Sequence, residues 1–250
     1  MTIAQIRRDH LELENRLERE YTSRIFWALR KSKAKFYKVL REDGLLFAYA
    51  NVRGLIDAAP IRRVLMAIYD KVSKKTLTLE VKGFGFSGVW YESVEQWLST
   101  FLEPMITRMN DYTIRLVLDR IAKGLKDGDS YDIIVKDLQA SGIDRNRARV
   151  IARTETNRTL AWAKYDSIAA LPYEAEVVWI AARDKRTRGA EPGDRADHFH
   201  MNGQVVNYLE PFTDPISGSQ LLFPGDTSLG AGAGDVINCR CTIAVRRKKK

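Results

Sequence analysis

The residue types that could do chemistry cluster in the last third of the chain. Cys239 and Cys241, the only cysteines, stand one residue apart in "INCRCT" (237–242), and His198 and His200 stand one residue apart in "DHFHMNGQ" (197–204). Thiolate and imidazole are the ligands zinc favours, so H-x-H and C-x-C could bring His198, His200, Cys239 and Cys241 around one ion where two loops meet. The packing alternative makes both cysteines small buried residues and His198 a hydrogen-bonded loop anchor. A disulfide across C-x-C is strained and ranks last.

A second set is charged. Arg153 and Glu155 lie in "RVIARTET" (149–156), and Asp184, Arg186 and Arg188 lie in "RDKRTR" (183–188). One reading is a partly buried ion-pair network that fixes a helix against a loop, whose members are hard to remove because an unpaired buried charge costs about 3–5 kcal/mol. The other is a phosphate-binding cluster. With His198 and His200 as proton shuttles, it would hold the parts needed to cleave a phosphodiester. No Walker loop, dinucleotide-binding glycine fingerprint, H-E-x-x-H or G-x-S-x-G is present.

A third set closes the chain: Arg246, Arg247, Lys248, Lys249 and Lys250 supply five of the nine excess positive charges. Such a run reads as a flexible arm for a polyanion, nucleic acid first, or as a solubilising terminus.

These residues need elements to position them. Thr2 and Gln5 have capping-box spacing, and Ile3, Ile6, His10, Leu13 and Leu17 recur at helical intervals. Further helices are expected over the aromatic stretch that ends near Gly44 and after Pro60. Thr76 to Val81 alternate as a strand would, and the glycines that follow suit a hairpin or loop. Ser93 and Gln96 form another capping box, with Pro104 expected to kink the helix it opens. Ile114, Leu118, Ile121 and Leu125 carry a helix to "KDGDS", Ser130 caps a short one, and a long helix carries Arg153 and Glu155 up to Pro172. Beyond it, "AEVVWIAA" (175–182) reads as a buried strand and "CTIAVRR" as a closing one, with a loop-rich stretch between. Arg145, Arg147, Arg149 and Arg153 wrap around their helix, so they do not make one groove-reading face.

Hydrophobic residues make up 45% of the 250-residue chain, a globular composition. There is no apolar run of the roughly 20 residues needed to span a bilayer, and the first twenty residues hold no secretory apolar core. Two cysteines make no disulfide framework, so a reducing compartment, or a fold that does not rely on crosslinks, is expected.

In order, Ala152 to Glu155, Trp179, Asp184 with Arg186 and Thr187, His198 with Gly203, and Asn238 to Cys241 resemble the phage Mu F-like, or SPP1-type, head morphogenesis family. The likeness covers about residues 110–245. Some members carry a further C-x-x-C after R-T, where this chain has Arg188 and Glu191. The resemblance implies a minor head protein of a tailed double-stranded DNA phage, inside the capsid near the portal, with the host cytoplasm as the place of assembly. Portal, capsid or scaffold proteins and non-specific double-stranded DNA are the implied partners, with no membrane in the assembled head. The expected fold class is α+β: a helical, portal-docking region over 1–110 and a head morphogenesis domain over 111–250 ending in a small loop-rich β module. No catalytic residue is assigned; a nuclease-type enzyme and a non-specific DNA-binding regulator are the alternatives. No cofactor is required, with zinc the candidate.

Overall fold

The computed structural model describes residues 2–80, 100 and 102–248, with side chains at 74–80 and 141–143 left aside. Helices α1 (Ile3–Ser32), α2 (Ala34–Glu42), α3 (Leu45–Ala50), α4 (Val52–Leu55) and α5 (Ala59–Glu80) come first. Helices α6 (Glu103–Asp127), α7 (Tyr131–Gln139) and α8 (Ser141–Asp166) follow, the last ending in a 3-10 turn, Ser167–Ala170. Strands β1 (Ala175–Ile180), β2 (Val205–Asn207), β3 (Phe212–Thr213) and β4 (Gln220–Leu221), helix α9 (Ala233–Val236) and strand β5 (Thr242–Arg247) complete an α+β chain.

Local signals explain several boundaries. Thr2 and Gln5 form the reciprocal capping box at the start of α1, at 2.8 and 3.2 Å. Pro60 stands in the first turn of α5, where its missing N–H costs nothing. Gly128 closes α6 in the left-handed conformation, and the Ser130 side chain accepts from the Ile133 amide to open α7.

One expectation fails here. Thr76 to Glu80 continue α5 instead of forming a strand, so helical propagation from the preceding turns overrides a short alternation. Pro104 lies in the first turn of α6; the helix it was expected to kink, opened at Ser93, lies largely outside the described residues. The glycine-rich stretch after Val81 and the Ser93–Gln96 capping box lie outside the described residues.

The chain divides into two compact units that interleave in sequence. One comprises Thr22–Ala67 and Phe86–Ala148; the other comprises Met1–Tyr21, Ile68–Gly85 and Arg149–Lys250. The helical unit has a core in which Phe36, Leu40, Val52 and Leu55 pack with Ile114, Val117, Ile121, Ile134 and Leu138. Inside its polar margin Lys33 Nζ donates to Asp144 at 2.6 Å, and Arg147 donates to Thr113 Oγ1 and Met109 O at 2.7 Å each. Arg147 is thus spoken for within the fold.

In the other unit β1 is the central strand of an antiparallel sheet ordered β2-β1-β5, with Trp179 opposite Ile243 and Val177 between Val206 and Val245. Central position explains the near-continuous apolar run of β1. Strands β3 and β4 pair separately, Phe212 opposite Leu221. The returning loops depend on close approach. Gly189 has φ +82°, and a Cβ there would come within 2.9 Å of the Asp197 Cα; Gly203, at φ +89°, has open space around it. The two glycines separate strain from overlap. Gly203→Ala is expected to lose about 1 kcal/mol of stability, from the left-handed backbone alone. Gly189→Ala is expected to lose about 3 kcal/mol, since backbone must also move. Urea unfolding of both variants checks the order; equal losses would contradict it.

Candidate functional site

Asn238, Cys239, Arg240 and Cys241 sit between α9 and β5, where the long excursion after β1 returns to the sheet; Asn238 grips α8, Arg240 grips α1 and the Asp184 turn, and both cysteines face His198. Asn238 adopts φ +60°, which asparagine tolerates better than most residues. Its amide donates to Thr154 Oγ1 at 3.0 Å and its side-chain oxygen accepts from Arg153 Nη1 at 3.1 Å. The Arg-Thr of α8 is therefore a clamp on the Asn of the return.

Arg240 reaches α1 and the Asp184 turn. Its Nε donates to Glu14 Oε2 at 2.8 Å, its Nη2 to Asn15 Oδ1 at 3.0 Å, and its Nη1 to Asp184 Oδ2. Asp184 is held by its own turn: its amide donates to Thr187 Oγ1, and its Oδ1 accepts from the Arg186 amide and the Thr187 hydroxyl. The D-x-R-T segment is thus a turn that aims one carboxylate oxygen at Arg240. Arg186 serves through its backbone, and its side chain is exposed.

Arg153 makes a two-pronged bond to Glu18, at 2.7 and 2.9 Å. Glu155 accepts from Tyr69 Oη at 2.6 Å and Arg158 Nη1 at 3.1 Å, and Arg158 Nε reaches Gly225 O in the "FPGDT" loop. Arg188 donates to the carbonyls of Asp235 and Ile237. The expected ion-pair network exists, but Arg153, Glu155, Asp184 and Arg188 are not one another's partners. The decisive carboxylates, Glu14 and Glu18, come from α1.

No local signal singled out that stripe. Arg7, His10, Glu14 and Glu18 recur at spacings of 3, 4 and 4, one helical face. Arg7 donates to Ala181 O at 2.7 Å and Asn202 Oδ1 at 3.0 Å, and His10 Nε2 meets Asn157 Oδ1 at 2.8 Å. Sequence periodicity marks the apolar stripe through Leu13 and Leu17, whereas the docking face is largely polar. The usable signal was an unexplained charge pattern matching two arginines in the motif.

His198 is fully buried, its Nδ1 3.5 Å from Cys239 Sγ and 3.8 Å from Cys241 Sγ, its ring edge-on to Trp179 at 5.3 Å. Its Nε2 faces Asp214 at 4.0 Å. Both thiols are free of disulfide. The hydrogen bond from Cys241 draws the Cys239 thiol well below the usual range, against burial, while the same bond and burial push Cys241 well above it. His200 does not join them. It is 67% exposed in the side chain, with Nδ1 2.7 Å from Asp197 Oδ2, because alternate residues of the turn point oppositely. The structure brings together three of the four expected ligands.

The basic run begins inside the closing strand expected over 241–247. Arg246 and Arg247 belong to β5, paired with Glu176 and Ala175 of β1. Arg246 Nε meets Glu176 Oε2 at 2.7 Å, Arg247 lies over Tyr173, and Lys248 Nζ is 3.6 Å from Glu174. These three are strand and strand-end residues, not a free arm; Lys249 and Lys250 lie outside the described residues.

A family model described as "Phage Mu protein F like protein" matches residues 115–244, just over half of the chain. The chain belongs to that family. Membership in the Mu F-like family supports a phage head assignment. The chain is also similar to "Uncharacterized protein YqbB" of Bacillus subtilis (strain 168), 25% identical over 151 residues. That match takes in 59% of this chain and 47% of the relative, so the chain spans about half of the relative's length. No solved structure matches. The Mu F-like match begins at residue 115, so Glu14 and Glu18, which neutralise its arginines, lie outside it.

Two consequences are measurable. Removing Glu18 with Glu18→Ala strands Arg153 without its carboxylate and is expected to lower stability by about 3 kcal/mol. Urea unfolding reads this, and a loss under about 1 kcal/mol would assign the pair to the solvated surface. The second concerns pH. Burial, with Lys164 nearby, pushes His10 down to about 3, and burial, outweighing Arg240, pushes Glu14 up to about 7. The unfolded chain protonates His10 near 6.5 while the folded one does not, so this contribution is lost as pH falls below 6.5. Glu14 has the opposite sign: its contribution is full below 4.5 and is lost as pH rises through 7. The two oppose each other between 4.5 and 6.5. His10→Gln is therefore expected to become more stable as pH falls from 7 to 4.5, whereas the parent changes little; chemical unfolding at stepped pH checks the sign.

Proposed function

We propose that this protein is a minor head protein of a tailed double-stranded DNA phage, acting in head morphogenesis near the portal and contacting packaged DNA. The observation that carries the reading is the Mu F-like match over 115–244, whose Arg-Thr, D-x-R-T and N-C-R-C residues are hydrogen-bonded within the fold. Two further features support it. The helical unit exposes Trp27, Leu46 and Phe47, apolar surface suited to a protein partner such as portal or scaffold. No described helix is long and apolar enough to cross a membrane.

The nuclease alternative needs His198, His200, Arg186, Arg188 and Glu155 around one phosphate. Glu155 is buried against Arg158 and Tyr69, His198 is buried against the cysteines, and the Arg186 side chain is exposed. That set does not converge on one accessible phosphate site. A groove-reading regulator is likewise disfavoured, because Arg147 and Arg153 are used inside the fold.

Deleting the gene from a phage that carries it, with cryo-EM and mass spectrometry of the resulting particles, tests the assignment. Parent virions are expected to contain the protein at the portal end of the head, and the deletion to give defective heads. Normal infectious heads, with the protein absent from parent virions, would contradict it.

DNA contact is expected to be weak and non-specific, carried by the terminal lysines, since Arg246 and Arg247 are strand residues. Replacing Lys248, Lys249 and Lys250 by alanine should reduce the log–log salt slope by roughly 2–3 units, at about 0.9 per phosphate contact. A salt titration measures this, and an unchanged slope would place the DNA contact elsewhere.

A further inference from the structure

His198, Cys239 and Cys241 form the most concentrated group of soft ligand atoms among the described residues, and all three are buried. Two sulfurs converge on one ring nitrogen, at 3.5 and 3.8 Å from His198 Nδ1. Hydrogen bonding accounts for one of these approaches. A neutral imidazole nitrogen offers one lone pair in the ring plane, so a single thiol can donate to it well, and the other thiol is left to its neighbouring sulfur. A metal ion accounts for both. Zinc bound at about 2.1 Å to nitrogen and about 2.3 Å to sulfur, at tetrahedral angles, holds the two ligand atoms about 3.6 Å apart. The observed separations bracket that edge.

The surroundings suit the same occupant. The Trp179 ring stands edge-on to His198, and all three ligand residues are buried. His198 Nε2 has no hydrogen-bond partner and points toward the buried Asp214 carboxylate, 4.0 Å away, an arrangement close to the carboxylate–histidine–metal pattern. Asp214 also lies with Asp235 near His198, but these carboxylates are already engaged. Asp214 accepts from the amides of Asp197, Ile216 and Ser217, and Asp235 accepts from the hydroxyls of Ser217 and Ser219. They belong to the surroundings of the imidazole instead of forming a second centre.

We propose that His198 Nδ1, Cys239 Sγ and Cys241 Sγ bind one zinc-class divalent ion, with a water in the remaining tetrahedral position and His200 taking no part. Charge closes locally. Binding releases one proton from each thiol, and two thiolates with one neutral imidazole exactly offset the two positive charges, so no net charge is buried. The ion would tie the turn after β1 to the start of β5, closing from inside the loop that Asn238 and Arg240 close from outside. The inference is independent of the head-assembly reading.

The test uses the full chain, expressed without a metal-chelating tag, dialysed and analysed for metal, then reloaded with cobalt(II). About one equivalent of zinc is expected, with a thiolate-to-cobalt charge-transfer band on reloading. Cys239→Ala, Cys241→Ala and His198→Ala should each weaken metal affinity by roughly tenfold or more, and His200→Ala should leave it unchanged. Cobalt titration of the parent keeps the proposal falsifiable where a variant fails to fold. A folded parent that holds no zinc and gives no thiolate band with cobalt overturns the proposal, as does full metal retention by both cysteine variants or loss of metal in His200→Ala.

Discussion

Arg153 and Arg240 carry permanent charges at 9% and 8% exposure, and the rest of the C-terminal unit is arranged around neutralising them. A guanidinium removed from water is tolerable only if nearly every N–H finds an acceptor and a carboxylate stands close. Arg153 meets this with both oxygens of Glu18 and with Asn238; Arg240 meets it with Glu14, Asn15 and Asp184. One arginine sits on α8 and the other ahead of β5, and both take carboxylates from the same helix face. Docking the first turns of α1 is therefore a condition for burying either arginine. The ion pairs specify which helix packs and in what register, whether or not they add net stability.

That constraint explains the family pattern in physical terms. The Arg-Thr of α8 holds the αL asparagine, D-x-R-T presents one carboxylate oxygen, and the cysteines flank Arg240 so that alternate side chains face opposite ways. Cys239 and Cys241 turn inward to His198 while Arg240 turns outward to Glu14. The period of two between the cysteines is the strand-like alternation of a segment about to enter β5.

Much of this was legible in advance, for reasons that differ by element. The capping box at Thr2, the Gly128 stop, the Ser130 cap and the apolar run of β1 are local signals, and the structure follows them. The helical end of α5 was misread because neighbours in the fold, not composition, decide it. Least legible was α1. Its interacting face reads as ordinary solvent-facing charge until its partners are known, and those stand 135 and 226 residues away. Pairing at that separation leaves no periodic trace. The N-terminal helix likewise begins in the unit that the C-terminal module completes, which no local signal announces.

Native-state hydrogen exchange tests the central claim, that the first turns of α1 are an integral part of the C-terminal unit. If they are, the amides of Leu13, Glu14 and Leu17 open with the same free energy as those of Trp179, Ile180 and Ile243, in one cooperative step. If Leu13 to Leu17 instead exchange orders of magnitude faster while β1 and β5 stay protected, the helix is an accessory. The arginines would then be neutralised by something other than Glu14 and Glu18.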